Sequence, residues 1–121
     1  MQFDHHTVVL LILRPDAPSM TEEQAAALQD AHMAHTADMI DQGHLLAAGP
    51  PVGADDERVR GISVWAVDPD TARELCAQDP AVRAGRLAPQ VATWMTPAGQ
   101  VRFERVPVPR SMTEATEATG D

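Results

Sequence analysis

Two histidines, His32 and His35, stand one helical turn apart in the stretch Thr21–Pro51, TEEQAAALQDAHMAHTADMIDQGHLLAAGPP. At about 100° per residue they share one narrow stripe with Leu28 and Met39. Leucine and methionine favour burial, so both imidazoles are expected to point inward with them. An inward imidazole changes charge near neutral pH. It can act as general base or acid when a carboxylate fixes its tautomer. The competing reading of His32 is a core histidine bonded to a backbone carbonyl. His35 could support the first imidazole, bind substrate, or pack. Histidines at i and i+3 can also share a metal ion, with Asp55, Asp56 or Glu57 completing the set. H-x-x-H alone is a weak signal, and the chain has neither a cysteine pair nor an HExxH motif. The expectation is no metal and no cofactor.

Other residues carry weaker chemical signals. The acidic run Asp55–Glu57 is ordinarily a solvated loop. Its place directly after Gly49-Pro50-Pro51 and before a strand makes one inward carboxylate plausible. Arg14 closes an apolar run and Arg60 opens another, so either could clamp a substrate carboxylate or phenolate. Trp65 and Trp94 are candidates for an aromatic pocket wall or for the core of an assembly. Asp79-Pro80 pairs a good N-cap with a good first helical residue, which by itself accounts for Asp79, a pocket role being the lesser option. Cys76 has no activating neighbour in sequence and reads as packing.

These residues need elements to position them. Thr7–Leu13, TVVLLIL, is apolar and rich in β-branched side chains, as a covered strand requires. Thr21 and Gln24 fit a capping box, Glu22 and Glu23 follow the cap, and Gly43 stands where a left-handed helix stop falls. The outward positions of this helix, around Asp30, Ala37 and Asp41, are polar or small. Leu45–Ala48 predicts a second strand and Gly61–Val67, by alternation, a third. Thr71 to Gln78 predicts a second helix, AVRAG after Asp79-Pro80 one more helical turn, and Leu87–Met95 a fourth strand. Val101–Val106 is a candidate extra strand. From Pro107 the chain carries too little apolar surface to order itself. The expected organisation is therefore one domain over residues 1–106 and a disordered tail over 107–121.

The order βαββαβ predicts an α+β, ferredoxin-like two-layer sandwich, with an antiparallel sheet and both helices on one face. The opposite sheet face must then meet solvent or a partner. Strand residues on both faces are too apolar for water alone, which predicts a homodimer packed sheet to sheet.

Composition narrows the partners. The chain has 121 residues, a net charge of −9, and nine arginines with no lysine. An acidic surface opposes nucleic acid and anionic membranes, because phosphate binding needs clustered positive charge. One cysteine permits no internal disulfide, and the run Val8–Leu13 is too short for a membrane span. The opening MQFDHH lacks the basic region of a secretory leader, so a cytoplasmic setting is expected.

The chain resembles the YCII family of small dimeric ferredoxin-like proteins. The resemblance rests on LILRPDAP at Leu11–Pro18, AHMAH with GHLLAAGP within Ala31–Pro50, RGISVW at Arg60–Trp65, and DPAVRAGRL at Asp79–Leu87 leading to Trp94. It implies a dimeric α/β-barrel type assembly, with a pocket between the sheet and the long helix. It also implies a His–Asp active site, whose histidine, eleven residues before Gly43, falls on His32. The acid is implied in the loop after Gly49-Pro50, hence Asp55 or Asp56. Chemistry described for the family includes dehydrochlorination of a chlorinated hydroxyquinol, with kinship to muconolactone-isomerase-like folds.

Two functions follow as expectations. The first is a cofactor-independent lyase or isomerase acting on a small cyclic or aromatic acidic substrate. His32 would move the proton, Asp55 or Asp56 would orient it, and His35, Arg14, Arg60 and Trp65 would bind the substrate. The second is a non-catalytic dimeric small-molecule binder or pathway accessory protein using the same pocket. A His–carboxylate pair within hydrogen-bond reach in a closed pocket separates them.

Overall fold

The computed structural model describes residues 1–117. Its elements are β1 (Phe3–Leu13), α1 (Glu22–Asp41), β2 (Leu45–Gly49), β3 (Val59–Trp65), α2 (Pro69–Ala77), α3 (Pro80–Arg83), β4 (Leu87–Pro97) and α4 (Met112–Thr116). The four strands form one sheet in the order β2-β3-β1-β4, every neighbouring pair antiparallel. This is the ferredoxin-like arrangement. No strand forms over Val101–Val106.

Strand alternation assigns the two faces. Thr7, Val9 and Leu11 of β1 are buried, and their register partners Trp65 and Ser63 of β3 are buried with them. These side chains meet Met39 of α1, Ala72 and Cys76 of α2, Ala81 of α3 and Leu87 of β4 in one core. The interleaved residues Val8, Leu10 and Ile12 lie on the other face beside Val64 and Ile62. Trp94 and Ile62 on that outer face are 42% and 43% exposed. Among the described residues no helix covers this outer face, since both long helices pack on the opposite side; Phe103 packs edge-on against His6 at one end of it, ring centroids 5.2 Å apart.

Local chemistry explains the long helix. The Thr21 side chain accepts from the Gln24 backbone N–H, and Gln24 returns a bond to the Thr21 N–H. At the other end Gly43 adopts φ 80°, and the His44 and Gly43 amides bond back to the carbonyls of Met39 and Ile40. That is a Schellman stop, and the positive φ favours glycine there. His32 and His35 are half-buried and Met39 is buried, as the stripe predicts. Ala37, expected to face outward, is buried instead.

The segment after β4 departs from the expected disordered tail. Residues 107–117 run back along α1, and Ser111 caps the short helix α4. Arg105 donates to the carbonyls of Ile40 and Asp41, Arg110 pairs with Asp38 and Asp41, and the Met112 amide donates to Asp30. Polar anchors to the acidic face of α1 hold this stretch, which is why an apolar count could not find it. Residues 118–121 of the expected tail lie outside the described residues.

Candidate active site

Between the sheet and α1 lies a cavity of about 540 Å³. Its floor includes Leu11, Leu45 and Trp65 of the strands, and α1 contributes His32, Met33, Thr36 and Ile40. Val108, Pro109, Met112 and Ala115 of the C-terminal segment close another side. The lining is thus largely apolar, with a few polar groups, as small-molecule sites generally are.

His32 is the centre of those polar groups. Its Nδ1 lies 2.6 Å from Oδ2 of Asp79, a residue only 4% exposed. The other carboxylate oxygen, Oδ1, accepts the Ala81 N–H at 2.9 Å and so caps α3. An ionised carboxylate only accepts, so Nδ1 carries a proton in this contact, and in the neutral ring Nε2 is the nitrogen with the free lone pair. Nε2 has no protein partner among the described residues. A bare Nε2 on an imidazole whose orientation is fixed from behind is the arrangement a general base requires.

The carboxylate that meets His32 is therefore Asp79 and neither Asp55 nor Asp56. Asp56 is exposed and bonded to Arg58, whose guanidinium holds its carboxyl below the usual carboxylate range. Asp55 is exposed in the same loop, and neither residue lines the cavity. The loop after Pro51 is solvated because Asp56 finds its counter-charge two residues away and has no need to turn inward.

The remaining candidates divide. His35 lines the cavity, but its Nε2 donates to the Leu75 carbonyl at 3.1 Å, which ties α1 to α2. Trp65 lines the cavity and is held by an indole N–H bond to Ser63 Oγ at 2.8 Å. Arg60 lines it too, with its Nε donating to the Glu57 carbonyl. Arg14 does not: it pairs with Asp16 in the exposed turn after β1. Cys76 borders the cavity as a buried thiol, and burial together with the charge of Asp79 pushes it up to about 12. It is inert packing at neutral pH. Among the described residues no group of three or more His, Cys, Asp or Glu side chains gathers in a metal-binding set. No helix is long and apolar enough to cross a membrane.

Sequence reasoning gave Asp79 a pocket role only as the lesser option and did not single out Arg86, which lines the cavity. The signal for Asp79 was present in Asp-Pro, yet capping uses one carboxylate oxygen and leaves the second free for other work.

Fold and cavity together define a ferredoxin-like α+β protein with a histidine–carboxylate pair facing a small-molecule-sized space. The YCII-related domain matches residues 8–94, and the chain belongs to that family. Among solved structures, the chain is similar to 5-chloro-2-hydroxyhydroquinone dehydrochlorinase (TftG) from Burkholderia phenoliruptrix in complex with 2,5-dihydroxybenzoquinone. Identity is 21%, with 74% of this chain and 92% of that one covered and a TM-score of 0.48. It is also similar to the Arabidopsis thaliana protein At3g17210, at 13% identity, 83% and 100% coverage and a TM-score of 0.37. Comparison with curated proteins gives no match.

Proposed function

We propose that this protein is a cofactor-independent lyase or isomerase that moves a proton on a small cyclic or aromatic acidic substrate. The observation that carries the reading is the 2.6 Å contact of His32 Nδ1 with buried Asp79 at the cavity wall. His32 is the catalytic base, its Nε2 taking a proton from a ring hydroxyl or an activated carbon. Asp79 is the positioning residue that holds the tautomer and stabilises imidazolium as it forms. In an elimination of HCl, the kind described for the family, the proton goes to Nε2 and chloride leaves with the C–Cl electron pair. No external electron acceptor is needed. The apolar walls exclude water and favour a flat ring. A non-catalytic binder is the weaker alternative, since ligand binding alone gives no reason to orient an imidazole with a buried carboxylate.

The test is an assay of chlorinated hydroxyquinols and small unsaturated lactones against wild type, His32→Gln and Asp79→Asn. Loss of turnover in both variants, with folded protein retained, supports the assignment. Full activity of His32→Gln on a genuine substrate removes it.

We further infer a homodimer formed through the outer sheet face. Val8, Leu10, Ile62, Val64 and Trp94 present a contiguous apolar surface there. A surface of that kind favours cover by a second copy, because two sheets can exclude water from both faces at once.

A further inference from the structure

Eight of the nine arginines are exposed; Arg86 alone is half-buried. Arg14, Arg58, Arg73 and Arg110 pair with carboxylates, and Arg60 and Arg105 donate to carbonyls. Arg86 lines the cavity, and among the described residues its guanidinium has neither an ion-pair nor a hydrogen-bond partner. Asp79, which lines the same cavity, bonds to His32 and the Ala81 amide and makes no ion pair with Arg86. A cation partly withdrawn from water and left without a counter-charge is costly, so an occupant that brings an anion to it is favoured.

The backbone holds this residue firmly. α3 ends in a Schellman stop, with Gly85 at φ 77° and the Arg86 and Gly85 amides bonded to the carbonyls of Ala81 and Val82. Asp79 caps the start of the same turn. One eight-residue segment, Asp79–Arg86, thus supplies both the carboxylate behind the base and a guanidinium at the cavity wall. Its position relative to His32 is fixed by the turn and not by a flexible loop.

We propose that Arg86 is the anion-binding residue of the cavity, and that the ligand is a flat ring carrying one carboxylate or phenolate. This rests on the cavity being the substrate site. The planar fork of a guanidinium matches a carboxylate bidentately, while the ring meets Met33, Trp65 and Met112. The surrounding acidity gives the site its selectivity. A chain of net charge −9 repels anions in general, so anion binding must come from a local group.

Equilibrium titration of the full chain with benzoate and with its neutral isostere benzamide tests this. Wild type should prefer benzoate. Arg86→Gln should weaken benzoate binding tenfold or more and leave benzamide within about twofold, as expected when a charge-assisted pair is removed. Arg86→Lys should fall between, keeping charge but losing the fork, and it also controls for misfolding. Arg73→Gln, at an exposed ion pair with Asp70 outside the cavity, should bind benzoate as wild type does. Equal wild-type affinity for both ligands, wild-type benzoate affinity in Arg86→Gln, or an equal loss in Arg73→Gln would overturn the proposal. These titrations do not depend on proton transfer. His32→Gln that keeps both benzoate binding and turnover overturns the catalytic reading and leaves Arg86 standing. A wild-type chain that binds neither ligand removes the Arg86 proposal whatever the turnover assays give.

Discussion

Asp79 reaches His32 across 47 residues of sequence, with one oxygen on the imidazole and the other on the amide that opens α3. Capping and holding the imidazole are thereby joined in one buried carboxylate, and the orientation of His32 depends on the integrity of a single helical turn.

The two duties can be separated by substitution. Asp79→Asn keeps a carbonyl oxygen for the Ala81 amide but offers no charge to imidazolium. Turnover should fall by roughly 10²–10⁴-fold. KM should change little, the pH–rate profile should shift, and Tm should stay within a few degrees. Asp79→Ala should also lose the cap, a further cost of about 1 kcal/mol. Steady-state kinetics across pH with thermal melts on both variants reads the difference. Equal losses of Tm and activity would make Asp79 purely structural.

Cys76 gives a pH prediction of definite sign. Burial, then the charge of Asp79, raises the folded thiol from 9.0 to about 12, so the unfolded chain ionises first. The contribution is intact below pH 9 and is lost as pH rises from there toward 12. Between pH 9 and 10.5 the loss is about 2 kcal/mol. Cys76→Ala should flatten this alkaline limb, measured by denaturant midpoints, and the native thiol should resist alkylation at pH 8.

Truncation after Pro107 should lower Tm by several degrees and admit water to the cavity. The removed segment carries Met112, Ala115 and the Arg110 contacts to α1. The fluorescence of Trp65, which lines that cavity, should shift to the red in a Trp94→Phe background. An unchanged spectrum and Tm would mean that the segment does not shield the site.

Trp94→Arg, on the outer face beside His6 and β1, should dissociate the proposed homodimer while leaving the monomer's cavity residues in place. Sedimentation velocity at micromolar concentration checks it. A wild type that already sediments as a folded monomer would remove the dimer.

What the sequence determined by itself was local. The capping box at Thr21, the glycine stop at Gly43, the Asp79 cap, the apolar run of β1 and the alternation in β3 depend on neighbours within a few residues. They fixed the element order, and with it the ferredoxin-like sheet and the inward stripe of His32 and His35. The tertiary structure decided which carboxylate meets His32. Asp55, Asp56 and Asp79 all lie in connecting segments; Asp56 meets Arg58 two residues away, but nothing local to Asp79 reveals that the oxygen left over from its cap faces His32, 47 residues distant. It likewise decided the course of residues 107–117, because the anchors of Arg105, Arg110 and Met112 lie on α1, far away in the chain. Pairing between distant charges leaves no periodic trace in sequence, since it depends on which surfaces the fold brings within a few ångströms.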